Sequence, residues 1–290
     1  MYARALAALT TALLATMALL TPSSDARAHT DPQPTVIAHR GASAYAPENT
    51  LAAVDRAAAL GVGWVENDVQ RTRDGRLVVI HDDSLTRTTD VKKVFPGRSP
   101  WKVKDLTAAE IARLDAGRWF GPAYAGARVP TLEQYMRRVE SNHQNLLLEI
   151  KNPELYPGVE EQILKLLGDL GWLDREHLAH RLIVQSFSAD SLRTVHGLRP
   201  GIRTGFLGRP SVADLHTYAA FADEINPSNA SLSRAYVSTV HALTGPHGSP
   251  MKVSAWTVDD AATARRVARY GVDGVISNKP DVVRQALSGC

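Results

Sequence analysis

Short β-like runs alternate with amphipathic helical patterns along most of this chain, and that alternation constrains its fold more than any other feature. Alternating strands and helices indicate a parallel sheet with helices outside it. About eight such units in about 250 residues are typical of a (β/α)8 barrel, or TIM barrel, of the α/β class. The strand-like runs are 35–38, 64–69, 77–80, 146–150, 182–187, 203–207, 224–226, 253–257 and 274–277. The helical patterns are 48–60, 132–139, 159–167, 189–195, 212–221, 230–240, 261–270 and 281–287.

Nine strand-like runs are one too many for an eight-stranded barrel, and run 77–80 is the odd one. The segment Arg73-Asp74-Gly75-Arg76 is a tight-turn signal. A parallel crossover needs about a dozen residues or more, and fewer are available here. We therefore predict a β-hairpin in which run 77–80 is antiparallel to run 64–69. A two-residue turn at Asp74-Gly75 would place Asp68 opposite His81.

The periodicity fails between residues 83 and 130. Loops of that length inside a compact domain are usually functional or disordered, and the aromatic residues here argue against disorder. The sequence predicts one short helix within it, at 107–114. We interpret 83–130 as a cap-like insertion over the mouth of the barrel.

The amino terminus has the pattern of a secretory signal peptide. Arg4 precedes an uncharged apolar run at 5–20, and Ala26-Arg27-Ala28 follows as an A-x-A cleavage signal. The run is short and rich in Ala and Thr for a membrane span. Cleavage after Ala28 leaves residues 29–290 as one domain. We expect the mature protein to be secreted, or to lie in a periplasm-like space, with no stable membrane span; an uncleaved anchor is the alternative.

The composition limits the kinds of molecule that this protein is expected to bind. A net charge of +3 without a long run of Lys or Arg gives no indication of nucleic-acid binding. The only cysteine is Cys290, so the chain contains no internal disulfide, and no function is assigned to that thiol. The sequence implies a small-molecule substrate and no protein partner.

Three acidic residues on two strands predict a metal site. Glu66 and Asp68 are two apart on one strand and therefore point to the same face. Glu149 ends another strand and offers a third carboxylate. Carboxylate oxygens and water suit Mg²⁺ or Ca²⁺, whereas this ligand set does not suit zinc. In the alternative reading, Glu66 and Asp68 pair with Arg71, Arg73 or Lys151.

Two histidines and two cations also stand at strand ends. His39 and His81 each follow an apolar strand and can serve as general base and general acid. Arg40 can grip phosphate oxygens bidentately, and Lys151 can act as a point charge. The competing interpretation is that each histidine only caps a helix or satisfies a loop.

Three further residues complete the candidate site. We expect Glu48 to touch the metal or, preferably, to orient Arg40. Phe187 and Trp256, at later strand ends, can form an apolar wall for the substrate, although core packing is nearly as good an explanation. No Ser-His-Asp arrangement, dinucleotide motif or P-loop accompanies them.

Several motifs in order resemble the glycerophosphodiester phosphodiesterase family across residues 36–281. Two departures stand out: Asn67 separates the two acids where an apolar or aromatic residue is common, and Ser277-Asn278 replaces the more usual Thr-Asp. We expect the second departure to touch none of the catalytic groups. The matching motifs are His39-Arg40-Gly41, Pro47-Glu48-Asn49-Thr50, Glu66-Asn67-Asp68-Val69, Thr72-Arg73-Asp74-Gly75, His81-Asp82, Glu149-Ile150-Lys151, Ser186-Phe187 and Trp256-Thr257-Val258.

The resemblance implies a TIM barrel and metal-dependent hydrolysis of glycerophosphodiesters to glycerol 3-phosphate and an alcohol. It implies Glu66, Asp68 and Glu149 as ligands of Ca²⁺ or Mg²⁺, and His39 and His81 as the acid–base pair. The sequence leaves open which histidine is the base, and whether water or a glycerol hydroxyl attacks phosphorus.

Two other activities remain as alternatives at this point. A sphingomyelinase D-like or phospholipase D-like enzyme acting on intact lipids would use a similar fold and metal site. It would favour an exposed apolar docking loop, for which Val94-Phe95-Pro96 and Trp119-Phe120 are the candidates. A secreted phosphate-binding module without catalysis is the alternative from another class. Polymers of the teichoic acid type also contain glycerol phosphodiesters and remain candidate substrates.

Overall fold

Eight parallel strands form a closed barrel in the computed structural model, which describes residues 33–288. Around the barrel the order is β1-β9-β8-β7-β6-β5-β4-β2, and pairing of β1 with β2 closes it. This confirms the predicted TIM barrel. The strands are β1 (Thr35–Ala38), β2 (Trp64–Arg71), β3 (Leu77–Val79), β4 (Asn145–Ile150), β5 (Leu182–Ser186), β6 (Arg203–Leu207), β7 (Glu224–Asn226), β8 (Lys252–Ala255) and β9 (Gly274–Ser277).

The predicted hairpin is present, because β3 lies antiparallel to β2 and outside the closed barrel. Its predicted register is wrong by one residue. Val69 pairs with Val79, and the N–H of Ile80 donates to the carbonyl of Asp68, so Ile80 rather than His81 lies opposite Asp68.

The hairpin loop explains the shifted register. The N–H of Thr72 donates to the carbonyl of Arg76, which leaves three loop residues between them instead of two. The hydroxyl of Thr72 donates to Asp74 and accepts from the N–H of Arg76. Gly75, with φ +76°, closes the loop in the left-handed region.

Ten α-helices lie within the described residues: seven follow a barrel strand, and the other three lie between β3 and β4. Two apolar clusters fill the space between the sheet and these helices, one along β2, β4 and β5 and the other along β7, β8 and β9. Ile37, Leu147, Ile183 and Ile276 pack inside the barrel. The helices are α1 (Leu51–Ala59), α2 (Val91–Val94), α3 (Ala108–Ile111), α4 (Leu132–Ser141), α5 (Val159–Asp169), α6 (Ala189–Leu198), α7 (Leu215–Tyr218), α8 (Arg234–His241), α9 (Ala261–Tyr270) and α10 (Pro280–Leu287).

Three helices are shorter than their sequence patterns predict. α8 begins at Arg234 rather than at residue 230, because Ser233 is its N-cap. α1 begins at Leu51 rather than Glu48, because Asn49 has φ +59° and Thr50 is the N-cap that accepts from the N–H of Ala53. α7 covers only part of 212–221, since Ser211 and Asp214 hydrogen-bond each other in a turn before it. Side-chain bonds to the local backbone compete with the helix at such positions.

The insertion 83–130 has a small apolar core of its own, built on the outer side of β3. Val78 and Ile80 from the β3 region pack there with residues such as Leu85, Leu106 and Leu114. α3 lies within the predicted 107–114 helix and starts with a capping box between Thr107 and Glu110. The insertion is therefore folded, while its interpretation as a cap stays a prediction.

None of the helices described here is long and apolar enough to cross a membrane. The predicted signal peptide, residues 1–28, lies outside the described residues, as does Cys290.

Candidate active site

Side chains that end or follow the strands meet in a cavity of about 80 Å³ at one edge of the barrel. All of the predicted site residues belong to this cluster: Asp68 is fully buried and contacts Arg40 and Lys151, and Glu48 contacts Arg40. The cavity is lined by His39, Arg40, Glu66, His81, Glu149, Lys151, Gln185, Phe187, Leu207, Trp256, Thr257 and Ile276. No residue of the insertion is among those lining groups.

Strand register brings the three carboxylates together. Glu66 and Asp68 share one face of β2, and Asp68 pairs with Glu149 of the neighbouring β4. One ligand atom from each carboxylate lies within 4.8 Å of the others, and all three residues are buried. The predicted acidic cluster is therefore present as a geometric unit that could hold a metal ion.

The hydrogen bonding of these carboxylates also fits a cation. Glu66 Oε2 accepts from the N–H of Arg40, and Asp68 Oδ2 accepts from the amide of Asn49. Within residues 33–288, Glu66 Oε1 and Asp68 Oδ1 are buried without a hydrogen-bond donor. Glu149 Oε1 has only the ammonium of Lys151, at 2.8 Å. Such buried oxygens are costly unless a positive charge faces them.

Burial and the mutual repulsion of the three carboxylates shift their pKa values. Burial, together with the charges of Asp68 and Glu149, raises the pKa of Glu66 well above its usual value. Burial and Asp68 raise the pKa of Glu149 to about 8. Burial alone would raise the pKa of Asp68, but Arg40 and other cations hold it below its usual value. A bound divalent cation would offset the burial and the repulsion that raise the pKa values of Glu66 and Glu149.

The alternative ion pairs are mostly not formed. Lys151 approaches Asp68 only to 3.8 Å, while Arg71 donates to the carbonyl of Pro157. Arg73 pairs with Glu110 of the insertion. The two arginines therefore do not neutralise the acidic cluster.

Arg40 is held at the rim by two carboxylates. Its Nη1 donates to Glu48 Oε1 at 2.9 Å, and its Nε lies 3.3 Å from Asp68 Oδ2. Arg40 has φ +56°, a left-handed conformation that is uncommon for arginine and typical of strained functional positions. Of the two roles expected for Glu48, the structure places it against Arg40.

His39 has a defined tautomer. Asn278 Nδ2 donates to Asp259 Oδ2, so the amide oxygen of Asn278 is the atom that faces His39 Nδ1 at 2.7 Å. Nδ1 of His39 must therefore carry the proton, which leaves Nε2 with its lone pair. Enclosure by protein and the charge of Arg40 lower the pKa of His39 to about 4. At neutral pH the ring is uncharged.

The expectation that the Ser277-Asn278 departure touches no catalytic group is wrong. Asn278 is a direct hydrogen-bond partner of His39. The contact joins residues 239 positions apart, and closure of the barrel between β1 and β9 creates it.

His81 faces a different partner. Its Nδ1 lies 2.7 Å from Asp82 Oδ1, and Asp82 in turn binds Arg87. A carboxylate is an acceptor only, so Nδ1 of His81 carries a proton. The contact with Asp82 fixes the orientation of the ring. His81 therefore has a carboxylate as its partner, whereas His39 has a neutral amide.

An aromatic pair borders the cavity. Phe187 and Trp256 make an edge-to-face contact with ring centroids 5.7 Å apart. Trp256 is fixed by a bond from Nε1 to the carbonyl of Asn226, while Phe187 is 52% exposed. The structure therefore places both rings at the site, and Trp256 also packs against the apolar cluster inside the barrel.

Several residues of the site were missed by sequence reasoning. Asn49, which falls within the helical pattern 48–60, holds Asp68 through its amide. The fold brings three further side chains to the site from distant positions, and no periodic pattern marks them. They belong to Asp259, Asn278 and Arg87. Asp82 follows His81 directly, and that adjacency was the one available signal.

Comparison with known proteins agrees with this geometry. The model of the glycerophosphoryl diester phosphodiesterase family matches residues 39–282. A glycerophosphodiester phosphodiesterase of Bacillus subtilis is 34% identical over 270 residues, which cover 87% of this chain and 86% of the relative. One from Caldanaerobacter subterraneus is 36% identical over 250 residues, covering 86% and 95%.

Solved structures give the same result. A phosphodiesterase of Oleispira antarctica, in complex with the product sn-glycerol-3-phosphate, superimposes with a TM-score of 0.71 at 31% identity. The alignment covers 88% of this chain and 97% of that one. A glycerophosphodiester phosphodiesterase of Agrobacterium tumefaciens gives a TM-score of 0.67 at 27% identity, covering 87% and 99%.

The TIM barrel, the cluster of acids, histidines and cations at its rim, and these relatives together identify a phosphodiester hydrolase. This chain belongs to the glycerophosphoryl diester phosphodiesterase family, and it is an enzyme of that class.

Proposed function

We propose that this enzyme hydrolyses glycerophosphodiesters to glycerol 3-phosphate and an alcohol by acid–base catalysis with two histidines, in a site that also holds Ca²⁺ or Mg²⁺. One observation carries the proposal. Glu66 and Glu149 line one small cavity with His39 and His81, and Asp68 completes the acidic cluster beside it. Glu66 and Asp68 each have a buried oxygen without a hydrogen-bond donor. Each part of that arrangement matches a need of phosphodiester hydrolysis.

Glu66, Asp68 and Glu149 would hold the cation, which would supply positive charge to the phosphate in the transition state. Their oxygen-only donor set suits a hard divalent ion. Arg40 and Lys151 lie beside these acids and would contact the non-bridging phosphate oxygens. Binding of the phosphodiester would therefore be shared between the protein's own cations and the metal.

His39 is assigned as the base. Its Nε2 lone pair accepts the proton of the attacking oxygen as the new P–O bond forms. His81 is assigned as the acid. Its Nε2 gives a proton to the departing oxygen as the old P–O bond breaks, while Asp82 stabilises the ring. The attacking oxygen belongs to water or to the neighbouring glycerol hydroxyl; in the second case water then opens a cyclic phosphate, and the products are the same.

The test is a product assay on the purified protein. Glycerophosphocholine is incubated with and without chelator, in parallel with lysophosphatidylcholine and sphingomyelin. We expect choline and glycerol 3-phosphate from the first substrate only, and we expect chelation to abolish both. Cleavage of the lipids would favour the phospholipase D-like alternative. Activity that survives chelation would remove the metal from the mechanism.

The histidine roles are tested with matched variants. His39→Ala and His81→Ala should each lower kcat by about 10²- to 10⁴-fold. His216→Ala is the control, because His216 is exposed and contacts only its own turn. A variant at either site that matched this control would lose its catalytic assignment.

The lipid alternative has little support in the insertion. Phe95 packs against the insertion's core and against Arg113. Trp119 is 43% exposed, but its neighbour Phe120 packs between Trp119 and Tyr124. One exposed ring is a weak membrane anchor.

The location of the enzyme is proposed from the amino-terminal sequence alone. Export with cleavage after Ala28 would place it outside the cytoplasmic membrane. Mass spectrometry of protein recovered from outside the cells should then find His29 as the first residue. Retention of Met1 would contradict that proposal.

A further inference from the structure

Arg87 joins two carboxylates that each support a different part of the active site. It is the fifth residue after Asp82, in the first segment of the insertion. Its Nε and Nη2 lie 2.7 Å and 3.0 Å from the two oxygens of Asp82. Its Nη1 and Nη2 each lie 2.8 Å from an oxygen of Glu48. One guanidinium thus makes two bidentate contacts.

Both carboxylates have a second partner inside the site. Glu48 Oε1 also accepts from Nη1 of Arg40, and Asp82 Oδ1 also accepts from Nδ1 of His81. The result is a continuous row of charged groups that runs Arg40, Glu48, Arg87, Asp82, His81. The two ends of that row line the cavity, whereas Arg87 does not.

We propose that Arg87 is a positioning residue that fixes the phosphate-gripping Arg40 and the acid His81 at a set distance from each other. This inference rests on the proposed roles of Arg40 and His81. Its physical basis is geometric: a planar guanidinium with four carboxylate contacts leaves neither Glu48 nor Asp82 free to rotate. Arg87 also links the insertion to Glu48 and Asp82, the two carboxylates that contact Arg40 and His81.

The arrangement is unlike an ordinary surface ion pair. Arg87 is 43% exposed, but Glu48 is only 12% exposed at its side chain. Glu48 would otherwise be left with Arg40 alone, and Asp82 with His81 alone. Exposed pairs contribute little to stability, so the main effect of removing Arg87 should fall on activity.

Arg98 offers a matched control. It lies in the same insertion, is 37% exposed and forms an ion pair with Glu110, which does not line the cavity. We expect Arg87→Ala to lower kcat/KM by about 10- to 100-fold, the range seen when partners of active-site ligands are removed. KM should rise because Arg40 is no longer held in place to bind phosphate. kcat should fall because His81 is no longer held in place to give its proton. Arg98→Ala should leave both constants near wild type.

A double-mutant cycle separates positioning from general damage. In a His81→Ala background, the effect of Arg87→Ala on kcat should largely disappear, because its target is gone. A purely structural role would give multiplicative losses instead. Methylguanidinium added to Arg87→Ala should restore part of kcat, since it can occupy the vacated position; Arg98→Ala should show no such response.

Failure of the proposed function and failure of the positioning role of Arg87 give different results. If the wild type fails to cleave glycerophosphocholine, the proposed function fails before Arg87 is tested. If the wild type is active and Arg87→Ala matches Arg98→Ala, the positioning role is overturned. If Arg87→Ala is active but less stable, the role is supported by rescue of kcat with methylguanidinium and overturned by its absence.

Discussion

The amide oxygen of Asn278 lies 2.7 Å from Nδ1 of His39, at the seam where the last barrel strand meets the first. Because Asn278 also donates to Asp259, its orientation is fixed and its oxygen must face the imidazole. The hydrogen-bond partner of His39 is therefore a neutral amide. The carboxylate of Asp259 is bonded to the nitrogen of that amide. Burial and the charge of Arg40 lower the pKa of His39, and a neutral amide opposes that effect less than a carboxylate would, so the imidazole stays uncharged and available as a base.

Exchanging the two polar residues should change the pH dependence of the reaction. In the double variant Asp259→Asn, Asn278→Asp, the bond between them is retained but the carboxylate faces His39. A carboxylate at that distance raises the pKa of an imidazole by about 1 to 3 units. Since the base must be uncharged, the acidic limb of kcat/KM should move up from its origin near pH 4 by that amount.

The control for this exchange is Asp260→Asn. Asp260 is adjacent to Asp259 but accepts from Thr263 at the start of α9, so the acidic limb should stay in place. An unmoved limb in the exchanged double variant would show that His39 does not govern it.

The acidic cluster should make the stability of the metal-free protein depend on pH. The pKa of Glu149 is raised from 4.5 to about 8, and that of Glu66 is also raised. The folded state therefore retains protons that the unfolded state releases, and the free energy of unfolding falls as pH rises from 4.5 towards 8. His39, whose pKa is lowered from 6.5 to about 4, opposes this trend below pH 6.5. In chelator, the melting temperature should therefore decline most clearly between pH 6.5 and 8.

Added Ca²⁺ or Mg²⁺ should oppose the decline, and more strongly at higher pH. A ligand at 100 times its Kd stabilises the folded state by about 2.7 kcal/mol. Glu149→Gln should abolish the response to the cation. Glu224, buried at the start of β7 with a raised pKa, should leave a residual slope that the cation does not remove. A melting temperature that ignores both cations at pH 8 would contradict the metal site.

Asn49 should control how firmly the cation is held, because its amide donates to Asp68 Oδ2 at 2.7 Å. Asn49→Gly keeps the left-handed backbone, φ +59°, and removes only the side chain. We expect cation affinity, measured by titration calorimetry, to fall by about 10- to 100-fold. Asn152→Gly is the control: Asn152 also has a positive φ, but its side chain contacts Glu154 at an exposed position. Equal affinities in the two variants would remove this role from Asn49.

The hairpin shows that the sequence predicts the pairing of two strands but not their register. The alternating pattern and the Asp74-Gly75 signal were enough to predict β3 as antiparallel to β2. The register depended on whether Thr72 and Arg76 pair, and the side-chain bonds of Thr72 decide that. A one-residue difference in loop length lies below what periodicity alone can resolve.

The candidate site also contains some residues that the sequence predicts and others that it does not. Residues at strand ends, such as Glu66 and Glu149, are predictable because the carboxyl ends of parallel strands meet at one rim. Arg87 and Asn278 are not, since they sit on connecting segments and reach the histidines only after the insertion folds and the barrel closes. Their contacts depend on tertiary packing that no local pattern encodes.

Gly41 should be far less replaceable than Gly75, although both have nearly the same backbone conformation. Gly41 has φ +79°, and a Cβ there would lie 2.6 Å from the backbone carbon of Ala53. Gly75 has φ +76° with nothing within 4 Å. Gly75→Ala should therefore lose only the left-handed penalty, about 1–2 kcal/mol. Gly41→Ala adds overlap with the first turn of α1, for a total of about 2–5 kcal/mol. Urea unfolding of both variants measures the difference, and equal losses would show that the loop after His39 yields without strain.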